Sequence, residues 1–313
     1  MPGPPQTRRA SVVNGMSVDV EDYFQTQAMS IAAPRSRWSQ MPCRVERNTE
    51  QLFELFARHN IRGTFFFLGW IAERYPKLVA RAKDLGHEIG CHSYWHRPIY
   101  SLSRHEFRED THRAKAVIES AAGARVLGYR APSFSLTSGT EWAVDILAEA
   151  GFTYDSSVHP VAHDLYDNRN APRYPYRFSS TSLLEIPIST VQVGKKTFPF
   201  SGGGYFRILP FTYTRWAMRR VNRVERQPAV FYIHPWEIDA RQPRLPANWR
   251  SNFRQYTGLN RTMKLLDRLL DEFSFAPIEE VFSESHINAA NLKEHLRGGD
   301  GRPGTSLNRN TAI

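Results

Sequence analysis

Residues 16–22, MSVDVED, alternate apolar and polar side chains and then crowd three carboxylates into the last four positions. A period of two reads as a strand, on which Asp19 and Glu21 share one face, while the side taken by Asp22 depends on how the chain turns. A loop follows. Residues 49–60, TEQLFELFARHN, then place Leu52, Leu55, Phe56 and His59 along one helical face. The same order recurs downstream. GTFFFLG precedes ERYPKLVARAKDLG, which Gly86 ends as a C′ residue. HEIGCHS precedes a helix opened by the S-x-x-E capping box of Ser103 and Glu106 and closed by Gly123. ARVLGYRAPS leads to GTEWAVDILAEAGF, and FTYDSS, SLLEIPIS and AVFYIHPW are three further strand candidates. A repeated strand–helix order implies a parallel sheet with right-handed crossovers; pattern alone leaves open sheet and closed barrel both standing.

The chain has 313 residues, 41% hydrophobic and 23% charged, a balance that lets a soluble globular protein bury a substantial core. No stretch approaches the roughly 18–20 apolar residues of a membrane helix. The opening residues lack the apolar region of a secretory signal, so a cytoplasmic location is expected. Composition marks flexible tails over residues 1–15 and 286–313. Two cysteines, Cys43 and Cys91, imply no disulfide framework. Cys91 adjoins His92 but would point the other way on a continuing strand and has no CxxC companion, so it reads as a small buried residue. The formal charge of +10 comes largely from scattered arginines, with no nucleic-acid-reading motif among them. A solvated basic face accounts for it, as would attraction to an anionic polysaccharide or peripheral contact with an acidic membrane surface.

Almost every apolar run leads straight into ionisable or hydrogen-bonding residues: Asp19, Glu21 and Asp22; His92; Arg130; Asp155; His234. In a parallel barrel the C-terminal strand ends share one face, where active sites form. Residues 88–99, EIGCHSYWHRPI, set His92 and His96 four apart at one such end. Two imidazoles and a carboxylate make a common mononuclear metal site with open positions. A surface acidic turn is the plainer reading of the carboxylates, and His59, His87, His105 and His112 read as structural or exposed. Trp95 and Trp236, with Tyr94 and Phe134, suit either sugar rings or core packing. The triple glycine of SGGGYFRI lacks the G-K-[ST] ending of a phosphate loop and reads as a substrate-facing or mobile loop.

The segments SVDVED, GHEIGCHSYWH, GYRAPSFS, YDSS and FYIHPWE, in this order over about residues 15–240, resemble the five motifs of the polysaccharide deacetylase family (carbohydrate esterase family four, the NodB-homology domain). The stretch from HPWEIDARQPRLP to RTMKLLDRLL is similar to the C-terminal extension of deacetylases from exosortase-associated exopolysaccharide clusters. The resemblance implies a single-domain, distorted (β/α) barrel over residues 16–240 with a C-terminal helical extension over 241–285. It also implies hydrolysis of N-acetyl groups on an N-acetylated glycan, with one divalent ion, zinc first and cobalt, nickel or manganese after it. Carried over residue by residue, Asp19 matches the general base, His92 and His96 the metal-binding histidines, and Arg130 the arginine that pairs with the base. His234 matches the general acid, and Ser133 lies where a backbone N–H helps hold the oxyanion. Asp155 would orient an active-site group or line the groove, and Trp95 and Trp236 would meet substrate. The first motif departs from the common T-F-D-D form. An alternating D-x-D arrangement favours Glu21 as the metal carboxylate; the usual ligand type favours Asp22 and tips the choice to it, with Glu21 held beside it. Hydrolysis of a non-sugar amide and a catalytically silent carbohydrate-binding barrel are the competing readings, and the retained Asp19, Arg130 and His234 weigh against the second.

Overall fold

Strand β1, Val13–Val20, is buried along its whole length after Val13, polar Asn14, Ser17 and Asp19 included. Both its edges and both its faces are covered, as in parallel sheets flanked by helices. The computed structural model describes residues 12–283, of which those up to Val281 form one compact unit. The tail expected from residue 286 lies outside the described residues, as do residues 1–11. Since β1 opens at Val13, the last three residues of the expected N-terminal tail are strand instead.

Eight more strands complete the sheet among the described residues: β2 Thr64–Phe67, β3 Glu88–Cys91, β4 Gly128–Tyr129, β5 Tyr154–Asp155, β6 Tyr176–Arg177, β7 Leu184–Glu185, β8 Val230–Ile233 and β9 Ser274–Ala276. Their order is β8-β1-β2-β3-β4-β5-β7-β6, with β9 also paired to β1. Within this sheet only the β6–β7 pairing is antiparallel. The sheet curls into a half-barrel, the distorted (β/α) barrel expected from the sequence, and no pairing among the described residues joins β6 to β8. Helices fill the crossovers. These are α1 Val45–Arg58, α2 Gly69–Arg74, α3 Pro76–Asp84, α4 Arg104–Ala122, α5 Ala143–Glu149, α6 Gly203–Ile208 and α7 Phe211–Arg219. The expected single helix over ERYPKLVARAKDLG is two: Pro76 has no N–H and fits only the first turn, so α2 stops and α3 restarts there. The capping box holds as read, with Glu106 N donating to Ser103 Oγ (3.2 Å) and Ser103 N to Glu106 Oε2 (2.9 Å). Gly123 closes α4 at φ 60°.

In the extension, α8 Trp249–Tyr256 and α9 Leu259–Glu272 precede β9. Helix α9 buries Leu259, Leu266, Leu269 and Leu270, the amphipathic packing helix its periodicity predicts. The extension also re-enters the sheet, because β9 pairs with Val13–Gly15 of β1.

The register is what assembles the site. Phe67, Cys91, Tyr129, Asp155 and Glu185 form one row across β2, β3, β4, β5 and β7. Pairing runs one residue further, from His92 N to Phe67 O (2.8 Å), Arg130 N to Cys91 O (2.8 Å) and Ser156 N to Tyr129 O (2.9 Å). On the other side Val18 lies opposite Ile233, so Asp19 and His234 emerge together. Residues separated by more than two hundred positions therefore meet at the C-terminal rim.

Candidate active site

Glu21, just past the end of β1, meets His92 and His96: one donor atom from each lies within 4.8 Å of the other two, and all three side chains are buried. His92 follows β3 directly, and its Nδ1 donates to the carbonyl of Arg130 (2.8 Å), which leaves Nε2 as the nitrogen with a free lone pair. His96 is turned inward by a tight loop. Its N–H donates to Ser93 Oγ (3.1 Å), and Tyr94 N donates to Asp110 Oδ2 on α4 (2.7 Å). Gly69 permits this loop to seat, since a Cβ there would stand 2.5 Å from Tyr94 Cδ2 and 3.0 Å from the backbone of Ala114. Ser93, His96, Ser133 and Phe134 all hold positive φ, 63°, 51°, 55° and 51°. Such backbone costs on the order of 1–3 kcal/mol per residue and concentrates at functional sites.

The donor set suits a metal ion. Glu21 Oε2 lies 2.9 Å from His96 Nε2 without hydrogen-bond alignment and has no hydrogen-bond donor, although it is buried. An unsatisfied buried carboxylate oxygen costs stability unless something else meets it. The three donor atoms lie within 4.8 Å of one another, a spacing that small side-chain shifts would bring to bonds of about 2.0–2.2 Å around one ion. Burial would raise the carboxyl of Glu21, but His96, His234 and His92 outweigh it and bring its pKa to about 2. Burial pushes His92 down to about 4, against the opposing pull of Asp19. An ionised carboxylate and a neutral imidazole are the forms that ligate.

Asp19 adjoins this cluster. Arg130 Nη1 donates to Asp19 Oδ1 (2.7 Å) and to Ser17 Oγ (2.7 Å); its Nε and Nη2 go to Ser156 O (2.9 Å) and Ser156 Oγ (2.8 Å). Every guanidinium nitrogen is used and the side chain is fully buried. Across from it, His234 Nε2 stands 3.9 Å from Asp19 Oδ2 and 3.5 Å from Glu21 Oε1. Its Nδ1 bonds Glu237 Oε2 (2.9 Å), which also accepts from His234 N (3.0 Å). Glu237 Oε1 in turn accepts from Arg207 Nε (2.6 Å), with both groups buried. Burial alone would lower the pKa of His234, but Glu237, Glu21 and Asp19 raise it to about 9. Trp236 stacks on the His234 ring at 5.3 Å and donates from Nε1 to Glu21 Oε1 (3.1 Å).

Several sequence assignments are corrected. Asp22, preferred above as the metal carboxylate, is not in the cluster. Its Oδ2 accepts from Cys43 Sγ (3.0 Å), Arg44 N and Val45 N (2.9 Å), and its Oδ1 from Tyr23 N (2.8 Å), so it caps α1 from outside the helix. The turn after β1 rotates Asp22 away and leaves Glu21 facing inward with Asp19. Asp155 lies beneath the rim, where its Oδ1 accepts from Ser157 Oγ (2.5 Å) and Glu185 crowds it. Burial raises both of these carboxyls, Glu185 far above the usual range, with Asp155 adding to it. Trp95 packs against Trp38 and Tyr94 rather than lining the groove. Cys91 is buried outside the cluster, as read. The triple glycine is no phosphate loop, as read; Gly204 lines the groove, but the segment opens α6 rather than forming a mobile loop. Gly202 pairs with Tyr232 at φ 137°, where a Cβ would stand 2.0 Å from the Tyr232 carbonyl oxygen. Glu237 and Arg207 escaped the sequence reading; the only local hint was the three-residue offset of Glu237 from His234.

The cluster opens into a groove of about 740 Å³ shared by Asp19, His234, Trp236 and Ser133 with residues of α6 and α8, a volume suited to a small-molecule cleft. Among the described residues no helix is long and apolar enough to cross a membrane.

Residues 38–154 match the family model described as polysaccharide deacetylase, and residues 156–283 match one described as a domain of unknown function (DUF3473). The chain is 26% identical to a peptidoglycan-N-acetylglucosamine deacetylase of Bacillus cereus, over 36% of this chain and 46% of that protein. It is 26% identical to a peptidoglycan deacetylase of Helicobacter pylori, over 44% of each. The aligned part spans less than half the length of these relatives. A crystal structure of a candidate polysaccharide deacetylase from Mycobacterium smegmatis superposes with a TM-score of 0.56 at 20% identity, covering 99% of both chains, which shows the shared fold. The deacetylase model and each of these relatives match less than half of this chain, so the matches mark that part as similar to polysaccharide deacetylases. His92, His96, Arg130 and Ser133 fall in the first matched segment, and His234, Trp236 and Glu237 in the second. Asp19 and Glu21 precede both.

Proposed function

We propose that this protein is a metal-dependent hydrolase that removes N-acetyl groups from an N-acetylated polysaccharide. The observation that carries the reading is the convergence of Glu21, His92 and His96 on one point, with Arg130-held Asp19 and Glu237-held His234 beside it. Binding alone needs no such pairing of a base and an acid, whereas amide hydrolysis does: water must lose a proton as it attacks, and the amine must gain one as it leaves.

Glu21, His92 and His96 would hold the divalent ion, zinc by donor type. When bound, that ion polarises the acetyl carbonyl and acidifies water. Asp19 accepts the proton of the attacking water, its carboxylate aimed by Arg130. Negative charge gathers on the carbonyl oxygen, and the backbone N–H at Ser133 is proposed to stabilise it. His234 gives its proton to the leaving amine, while Glu237 keeps Nδ1 engaged so that Nε2 faces the site. Trp236 fixes both Glu21 and the ring of His234.

The finer proposal is that the glycan is an exopolysaccharide or its lipid-linked precursor, handled in the cytoplasm. The relatives above are peptidoglycan deacetylases by name, so cell-wall glycan is the alternative substrate. Acetate release should be compared on N-acetylglucosamine oligomers, peptidoglycan strands and an acetyl-lysine peptide. Release from the peptide alone would replace the sugar reading with a non-sugar amidase; no release from any of them would leave a silent binding barrel.

A further inference from the structure

Helix α8 is built inside out. Its one fully buried side chain is Gln255, while Trp249 is 73% and Phe253 50% exposed. Stability alone favours the reverse, since a Trp and a Phe give far more by burial than a Gln. The helix is nonetheless firmly placed. Asn248 Oδ1 caps it at Ser251 N (2.9 Å), and Gln255 Nε2 donates to Tyr23 O (3.1 Å) and Gln242 Oε1 (3.0 Å). Arg254 pairs with Asp164 (2.5 Å), and its carbonyl accepts from Arg207 Nη2 (2.7 Å), the arginine that also holds Glu237. Trp249 and Phe253, four apart, share one face, and both line the same groove as Glu21, His92, His96 and His234.

We propose that Trp249 and Phe253 form a saccharide subsite, which holds sugar residues of the polymer beyond the one whose acetyl group is removed. This rests on the deacetylase reading above. Pyranose rings present flat C–H faces that suit indole and phenyl planes, and their hydroxyls would meet the polar walls. A rigid aromatic loses little conformational freedom on binding. A lipid surface is the other occupant for exposed aromatics beside Arg250 and Arg254. It fits less well, because these rings line a groove continuous with the catalytic cluster rather than crown a convex face.

The test is affinity for the hexamer and the monomer of N-acetylglucosamine, measured by calorimetry on the full chain, for wild type, Trp249→Ala/Phe253→Ala and Trp249→Phe/Phe253→Tyr. The expected result is a hexamer preference in wild type that falls at least about tenfold in the alanine pair and survives in the aromatic pair. An unchanged preference in the alanine pair, or no preference in wild type, overturns the subsite. So does loss of binding to phosphatidylglycerol vesicles in the alanine pair with hexamer affinity intact, which would assign the face to lipid. Hexamer preference without any acetate release would strike the deacetylase reading and leave the subsite standing.

Discussion

Arg130 Nη1 lies 2.7 Å from Asp19 Oδ1, with both groups buried and the rest of the guanidinium spent on Ser17 and Ser156. The pair joins β1 to the end of β4 and fixes the carboxylate that we assign as base. Arg130→Met should abolish acetate release and cost about 3–5 kcal/mol in denaturant unfolding, since it strands a buried charge. Asp19→Asn should abolish turnover as well, yet retain the bound ion. Full turnover in Asp19→Asn would remove it from the mechanism.

Glu21 and Asp22 are adjacent and do different work. Glu21→Gln should lose most of the bound metal, read by elemental analysis, because the orphaned Oε2 is the ligating atom we assign. Asp22→Asn should keep its metal. Asp22→Ala should instead lower stability by about 1–2 kcal/mol, the usual worth of a helix cap. The opposite metal result would restore Asp22 as the ligand.

We assign Glu237 a positioning role exerted through His234, whose Nδ1 it bonds. Glu237→Gln should lower kcat about 10–100-fold, the size seen when a partner that orients a histidine is altered, with KM and metal content little changed. A parallel loss of metal or of fold would mean that the Arg207–Glu237 pair only supports the structure.

His87 gives a pH test remote from the site. Its ring sits on Phe65 (4.7 Å) and Phe53 (5.4 Å) and accepts from Gly63 N (3.3 Å), and burial lowers its pKa to about 4. The folded pKa lies below the unfolded value near 6.5, so the folded state binds fewer protons between them. Its contribution is therefore full above about pH 6.5 and lost as pH falls to about 4, on the order of 3 kcal/mol. Glu88, raised by burial to about 7, acts in the opposite sense over a similar range, so the comparison must be with a variant. His87→Phe should flatten the loss of stability on acidification; an identical slope would show that His87 does not titrate on unfolding.

The strand–helix order and the functional strand ends were legible because period and punctuation are local. The apolar runs GTFFFLG and AVFYIHPW end where their strands end, and the register then brings His92, Arg130 and His234 together. What escaped depends on distant partners. Asp22 looked like a ligand until the start of α1, more than twenty residues on, took its oxygens. Asp155, read as orienting an active-site group or lining the groove, is absent from the groove and instead holds Ser157, whose Oγ accepts from Ala131 N beside Arg130. Trp95 was read beside the chemistry, and Trp38 draws it into the aromatic cluster. Arg207 gave no sign, since its role exists only through Glu237.

The account stands or falls on whether the three-residue cluster holds the ion that hydrolysis requires. The direct measurement is acetate release from N-acetylglucosamine hexamer by the purified chain, before chelation, after chelation, and after return of one equivalent of zinc, for wild type and Glu21→Gln. Wild type should lose activity on chelation and regain it at one ion per chain, while Glu21→Gln should stay inactive with metal unbound. Release that persists in the chelated protein, or a Glu21→Gln variant that binds one ion and works at the wild-type rate, would contradict it.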